Sequence, residues 1–233
     1  MTSSAATGAT ALLRAHALRK SFGRTEALRG ASVEVAQGEV VALTGPSGSG
    51  KSTLLLCLAG VLRPEAGSVT HDGTRLDDLP EAARTRLRRR EFGLVLQFGQ
   101  LVPELSAVQN VMVPLLMERH GRAAARTAAL AWLDRLGAGG LADALPGDLS
   151  GGESQRVAMA RALVTGPSIV FADEPTGALD RVSGEEVMEV LVSTARSTGA
   201  AVLLVTHDNR VAAYADREVV LRDGAVEDPA AVR

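Results

Sequence analysis

A chain of 233 residues with 46% hydrophobic content can bury one sizeable core, with room for an inserted subdomain. Its 25 Lys+Arg against 27 Asp+Glu leave a net charge of −2, which removes any general pull toward nucleic acid or anionic lipid. The single Cys57 rules out an internal disulfide, fits a reducing compartment and reads as a buried structural thiol. No stretch reaches the roughly 20 apolar residues of a spanning helix. The nearest, residues 105–117, carries Gln109, Asn110 and Pro114.

Residues 1–11 hold no basic residues before an apolar core, so they read as a disordered lead-in rather than a secretory signal. Residues 12–35 are strand-like, with a turn at Phe22-Gly23. A second turn, Gln37-Gly38, feeds a buried strand at 40–43. Then comes GPSGSGKST, with Gly45, Pro46, Ser47, Gly48, Ser49, Gly50, Lys51, Ser52 and Thr53, followed by a leucine-rich helix. The spacing fits G-x-x-x-x-G-K-[ST] in the strand–loop–helix context that this motif requires. Glycines let the backbone approach a ligand with N–H groups pointing inward, and the helix start adds unpaired donors and partial positive charge. Lys51 would reach the β- and γ-phosphates and the Ser52 hydroxyl would complete a Mg²⁺ shell. Only Lys20 and Lys51 are lysines in a chain otherwise rich in arginine. The motif predicts binding of a nucleoside triphosphate.

Asp72-Gly73 between 68–71 and 74–76 signals a type I′ hairpin, so the first third reads as a mostly antiparallel patch around one parallel strand. Pro80 and Glu81 open a helix bearing Arg84, Arg86, Arg88, Arg89 and Arg90, read as a solvated basic face, with an anion or partner contact as the alternative. A strand at 92–96 ends at Gln97. From 99 to 147 the periodicity is helical. Ser106 caps one helix, Pro114 marks a kink or break, and a second helix closes at Gly137 with Trp132 on its apolar side. Helices then alternate with strands at 169–172, 201–205 and 218–221, which argues a parallel sheet covered on both faces.

The strand at 169–172 runs into Asp173 and Glu174, where ligands bind beyond the carboxyl ends of parallel strands. Adjacent strand residues point to opposite sides, so the two carboxylates should have different tasks. Asp173 would hold Mg²⁺, through water, and Glu174 would orient or deprotonate an attacking water. His207 follows the strand at 201–205. It could be a satisfied core histidine or a polar group at the carboxyl end of a strand.

LSGGESQR at 149–156, in order with the 45–52 loop and Asp173-Glu174, resembles the signature of the ATP-binding-cassette ATPases, and the likeness runs from about 12 to 226. The resemblance implies an α/β fold: a phosphate-loop ATPase core with a mostly parallel sheet, an antiparallel β-subdomain near the N-terminus and a helical subdomain inserted at about 99–156. Residues 12–226 would form one domain, followed by a tail at 227–233. It implies ATP and Mg²⁺ as ligands. Phe22 falls where an aromatic ring stacks on adenine, although it could be a turn residue packed on core. Gln97 falls where a glutamine contacts Mg²⁺ and the attacking water, although it could be a plain polar cap. Asp180 falls in a loop that crosses a dimer interface, and His207 falls where a histidine lies near the γ-phosphate and can hydrogen-bond it. Ser150, Gly151 and Gly152 start a helix and would close on the γ-phosphate held by a second subunit, so that two cassettes sandwich two ATP molecules head to tail.

The runs EPTGALD and LVLQFGQLVPELSAVQNVMVPLL resemble the subgroup of lipoprotein-release and macrolide-export ATPases, which includes the cell-division ATPase FtsE. That implies a peripheral position on the cytoplasmic face of the membrane, held there by a permease that docks near 98–104, where Phe98, Leu101, Val102 and Glu104 lie. A regulatory ATPase that signals through a membrane partner is the alternative. A nucleic-acid-associated cassette is disfavoured, because the chain has neither a long coiled coil nor a second cassette. Glu153 stands where the family more often has glutamine, and Phe22 where it more often has tyrosine.

Overall fold

The computed structural model describes residues 11–96 and 100–227. The chain runs β1 (Ala11–Phe22), β2 (Thr25–Ala36), β3 (Val40–Thr44), α1 (Lys51–Leu58), β4 (Ala66–His71), β5 (Thr74–Arg75), α2 (Glu81–Glu91) and β6 (Phe92–Val95). It continues with α3 (Ala107–Met117), α4 (Arg122–Arg135), α5 (Gly151–Leu163), β7 (Ile169–Asp173), α6 (Arg181–Thr198), β8 (Ala201–Val205), α7 (Asn209–Ala212), β9 (Arg217–Arg222) and β10 (Ala225–Val226). Two sheets result. One is antiparallel, in the order β2-β1-β4-β5; the other is β10-β9-β3-β8-β7-β6, parallel except for β10.

The central strands read VVALT, IVFAD and AVLLV because both of their faces are covered. Alternate side chains divide between two cores. Val41, Leu43, Ile169, Phe171, Leu203 and Val205 join Leu54, Leu55 and Leu58 of α1 and the inner face of the antiparallel sheet. Val40, Val170, Ala172, Val202 and Leu204 face α3, α4, α5 and α6. The helical block therefore lies on one side of the parallel sheet and the phosphate-loop helix on the other.

Local chemistry sets the boundaries. Asp72 and Gly73 have φ of +43° and +74°, as the expected I′ turn requires. Ser106 and Gln109 form a reciprocal capping box at α3, and Asp180 caps α6, which ends on left-handed Gly199. Pro114 sits inside a continuous α3 rather than breaking it. Trp132 is part-buried against the helical core, with the Arg135 guanidinium 5.0 Å from its ring. The short helix α7, capped by Asp208, was not foreseen.

The arginine-rich face of α2 differs from the solvated face expected. Arg84 is buried and ion-pairs with Glu81. Arg88 donates to the Gly60 carbonyl at 2.6 Å, and Arg89 and Arg90 converge on Glu118 at 2.9 and 2.6 Å. The run packs α2 against its surroundings, and only Arg86 and Arg90 are exposed. Among the described residues, no helix is long and apolar enough to cross a membrane.

Candidate active site

The loop between β3 and α1 needs its glycines for contact as well as conformation. A Cβ on Gly45, at φ +138°, would lie 2.0 Å from the Leu221 carbonyl oxygen. One on Gly50, at φ +103°, would lie 2.3 Å from the Ala27 carbonyl oxygen. The loop is thus wedged between β9 and β2, and the Gly224 N–H donates to the Ser49 carbonyl at 3.0 Å. No side chain caps α1, whose Ncap is Gly50, so the N–H groups of its first turn remain open to an anion. Lys51 is 8% exposed and folds back over its own loop, donating to the Gly45 and Pro46 carbonyls at 2.9 Å each. The Ser49 hydroxyl is buried without a hydrogen-bond partner among the described residues.

The start of α1 meets the end of β7. The Ser52 hydroxyl donates to Asp173 Oδ1 at 3.3 Å. Burial, reinforced by the neighbouring Glu174 charge, pushes the Asp173 carboxyl above its ordinary range, against the pull of Ser52 and Lys51. Glu174 has φ of +47°, a left-handed conformation that is uncommon for a non-glycine residue. The alternation expected for adjacent strand residues therefore does not aim it, because β7 ends at Asp173 and the chain turns at Glu174. Its N–H donates to the Val205 carbonyl at 2.9 Å, and its Oε1 lies 2.6 Å from His207 Nδ1. The His207 side chain is 71% exposed, so it is no core histidine. Glu174 and His207 share a cavity of about 270 Å³ with Asp180 and Arg210.

The remaining sequence candidates divide. Phe22 is exposed at the β1–β2 turn, with the Lys20 ammonium 5.7 Å from its ring, and is not packed on core. It tips the same hairpin whose Ala27 carbonyl abuts Gly50. Ser150 caps α5, and its hydroxyl and N–H both donate to Glu153. Gly151 and Gly152 pack toward Leu179 and Ser183. Neither polar group of Ser150 bonds the 45–53 loop, Asp173, Glu174 or His207, so one chain does not bring the two halves together. Asp180 accepts from Val182 N–H, Ser183 N–H and the Ser183 hydroxyl, which hold its carboxyl below the usual range. Gln97 and Phe98 lie outside the described residues. Beyond them Val102 is 39% exposed, while Leu101 is part-buried against the helical core.

Two residues escaped sequence reasoning. Thr206, 1% exposed, donates to Glu174 Oε2 at 3.5 Å and accepts the Asp208 N–H at 3.1 Å. Asn110 is fully buried in α3. Its Oδ1 accepts the Val102 N–H at 2.8 Å, while its amide donates to the carbonyls of Val102, Leu105 and Ser106 at 3.1, 2.8 and 3.2 Å. A polar residue between Val108 and Val111 on a buried face was the available signal.

The donors fit a magnesium nucleotide. No group of three or more His, Cys, Asp or Glu gathers into a metal cage among the described residues. Magnesium is commonly held by one or two protein oxygens together with phosphate and water, which is the set that Ser52 and Asp173 provide.

Residues 28–177 match the family described as ABC transporter. The chain is 46% identical over 204 residues to the "Lipoprotein-releasing system ATP-binding protein LolD" of Bordetella pertussis, covering 88% of each. It is 43% identical over 223 residues to the "Uncharacterized ABC transporter ATP-binding protein YbbA" of Escherichia coli K12, covering 94% of this chain and 98% of that one. Among solved structures, the dimeric bacterial cassette MJ0796 superposes with a TM-score of 0.86 at 38% identity, covering 93% and 97%. A post-hydrolysis dimer of the same cassette, bound to ADP and Pi, gives 0.85 at 37%, covering 93% and 97%.

Proposed function

The chain belongs to the ABC transporter family as an ATP-binding subunit, and from that premise we propose that it hydrolyses ATP as one half of a head-to-tail dimer. Residues 12–226 are the cassette domain, with the helical insertion at about 99–156. ATP places its phosphates on the N–H groups of the 45–53 loop, and Phe22 stacks on the adenine. Lys51 exchanges the Gly45 and Pro46 carbonyls for the β- and γ-phosphates. Ser52, Asp173 through water, and Gln97 would hold Mg²⁺, which would supply charge neutralisation to the phosphates.

Glu174 orients the attacking water and takes its proton as the new O–P bond forms and the bond to the bridging oxygen breaks. His207, whose Nδ1 lies 2.6 Å from Glu174 Oε1, presents its other ring nitrogen to the γ-phosphate and stabilises charge as it develops there. The meeting of Ser52 with Asp173 beside the Glu174–His207 pair carries this reading.

Ser150, Gly151 and Gly152 supply the other half of the pocket to the facing subunit, and Asp180 crosses between the two. The dimeric form of a relative at 38% identity supports this. The likeness to a lipoprotein-releasing subunit supports a permease of that type, docking near 98–104 and holding the chain at the cytoplasmic face of the membrane. Glu174→Gln tests the core of the proposal. ATP should convert that variant from monomer to dimer in size-exclusion chromatography while turnover is nearly abolished. A variant that stays monomeric at saturating ATP refutes the sandwich. Co-purification of the native complex with a membrane subunit and lipid-modified protein cargo tests the transport class.

A further inference from the structure

Ser150 is a donor with its hydrogen already committed. The Glu153 carboxylate accepts the Ser150 hydroxyl at 2.7 Å and the Ser150 N–H at 2.8 Å through one oxygen, Oε2. The Glu153 N–H returns a bond to the Ser150 hydroxyl oxygen at 3.3 Å. A hydroxyl has one hydrogen, and a phosphate oxyanion only accepts. A γ-phosphate arriving from a facing subunit therefore meets Ser150 with its hydrogen turned toward a carboxylate and with negative charge beside it.

Arg156, whose guanidinium pairs with Glu186 at 2.5 Å, adds a coulombic pull that keeps Glu153 charged and leaves the Ser150 bonds in place. The serine cannot simply move away. It is the Ncap of a 13-residue helix whose first two residues pack toward Leu179 and Ser183. The bond can change partner only by rotation of the hydroxyl and displacement of the Glu153 carboxylate.

We propose that Glu153 is a positioning residue that occupies the Ser150 donors until a γ-phosphate displaces it, so that dimer closure is an exchange of one anion for another. This rests on the head-to-tail reading above. Closure then demands a stronger or more highly charged acceptor than a carboxylate, which a triphosphate offers at that point and a diphosphate does not. Glutamine at 153 would keep an acceptor for the Ser150 N–H, and so preserve the cap, while removing the charge.

The test uses the isolated protein and Mg-ATP. In a Glu174→Gln background, adding Glu153→Gln should lower the ATP concentration for half-maximal dimer by about threefold to tenfold, since an exposed charge contact is worth severalfold and occurs twice per dimer. Binding of a fluorescent ATP analogue by dilute monomer, and the melting temperature without nucleotide, should not change. An equal or higher ATP requirement overturns the inference alone. So does a gain that the monomer's own nucleotide affinity accounts for. Failure of Glu174→Gln itself to dimerise overturns the head-to-tail reading and this inference with it.

Discussion

His207 Nδ1 lies 2.6 Å from Glu174 Oε1, joining the residue that follows β8 to the residue that follows β7. The pair stands at the carboxyl end of adjacent parallel strands, where a reacting phosphate would sit, and Glu174 holds a left-handed backbone to make it. His207→Ala should therefore cut ATP turnover by roughly 100-fold, because it removes both the orienting partner of the base and a donor to developing charge. Because His207 is exposed, the folding stability should change by no more than about 0.5 kcal/mol. Steady-state ATPase assays and chemical denaturation of the same variant check both parts.

Gly50→Ala should lose nucleotide binding. The added Cβ would lie 2.3 Å from the Ala27 carbonyl oxygen, with the backbone at φ +103°. Either β2 or the loop must move, at a cost on the order of 1–3 kcal/mol. Titration with a fluorescent ATP analogue reads the binding and thermal unfolding reads the strain. Gly48→Ala is the instructive contrast. At φ +79° it is strained too, but its Cβ would face open space.

Asn110→Ala should destabilise the protein by about 2–4 kcal/mol, since it strands the buried Val102 N–H and deletes three bonds to carbonyls. Hydrogen exchange should locate the damage. Amides of the 101–106 segment should exchange faster, while those of β3 and α1 keep their protection relative to global stability. Uniform acceleration across the chain would show that Asn110 does not hold that segment in particular.

Cys57 should resist alkylation far above neutral pH. Burial raises its thiol to about 11, against a smaller opposing effect of Lys20, and its surface is 1% exposed. At pH 8 the thiolate is then on the order of one part in a thousand in the folded chain. Iodoacetamide should label the native protein only slowly and the denatured protein at once. The folded value lies above the ordinary 9.0, so the neutral thiol's contribution to stability is complete below about pH 9 and disappears as pH rises through about 11.

Asp173→Asn should weaken Mg²⁺-dependent nucleotide binding while leaving nucleotide-free folding intact or slightly improved. Burial already disfavours the Asp173 charge, so the neutral amide relieves a cost and keeps an acceptor for Ser52. Comparing ATP affinity with and without excess Mg²⁺ separates the two effects. Equal loss in both would place Asp173 outside the metal's reach.

Much of the α/β order could be read from pattern. Residues 40–43, 169–172 and 201–205 are short apolar runs, and runs buried on both faces leave few alternatives to central parallel strands. The Asp72-Gly73 turn, the Ser106 cap and the Gly50-Lys51 helix start depend on neighbouring residues alone, so local sequence sufficed. The arginines of α2 could not be read this way. Whether a guanidinium faces water or Glu118 depends on a residue 28 positions from Arg90, at the C-cap of another helix.

What the sequence determined by itself is the chemical inventory: a glycine-rich turn before Lys51, acids at the end of an apolar strand, a histidine after the next and a Ser-Gly-Gly helix start. Backbone propensity and side-chain chemistry act over a few residues, and those features need nothing more. The tertiary structure alone decided which of them meet. It set Ser52 against Asp173 across 121 positions and turned Glu174 toward His207 through a backbone angle that no strand pattern implies. It also gave the Ser150 hydrogen to Glu153 and hid Asn110 behind the 102–106 segment. Contacts between distant residues follow from how two cores pack on the faces of one sheet, and that packing is a property of the whole chain.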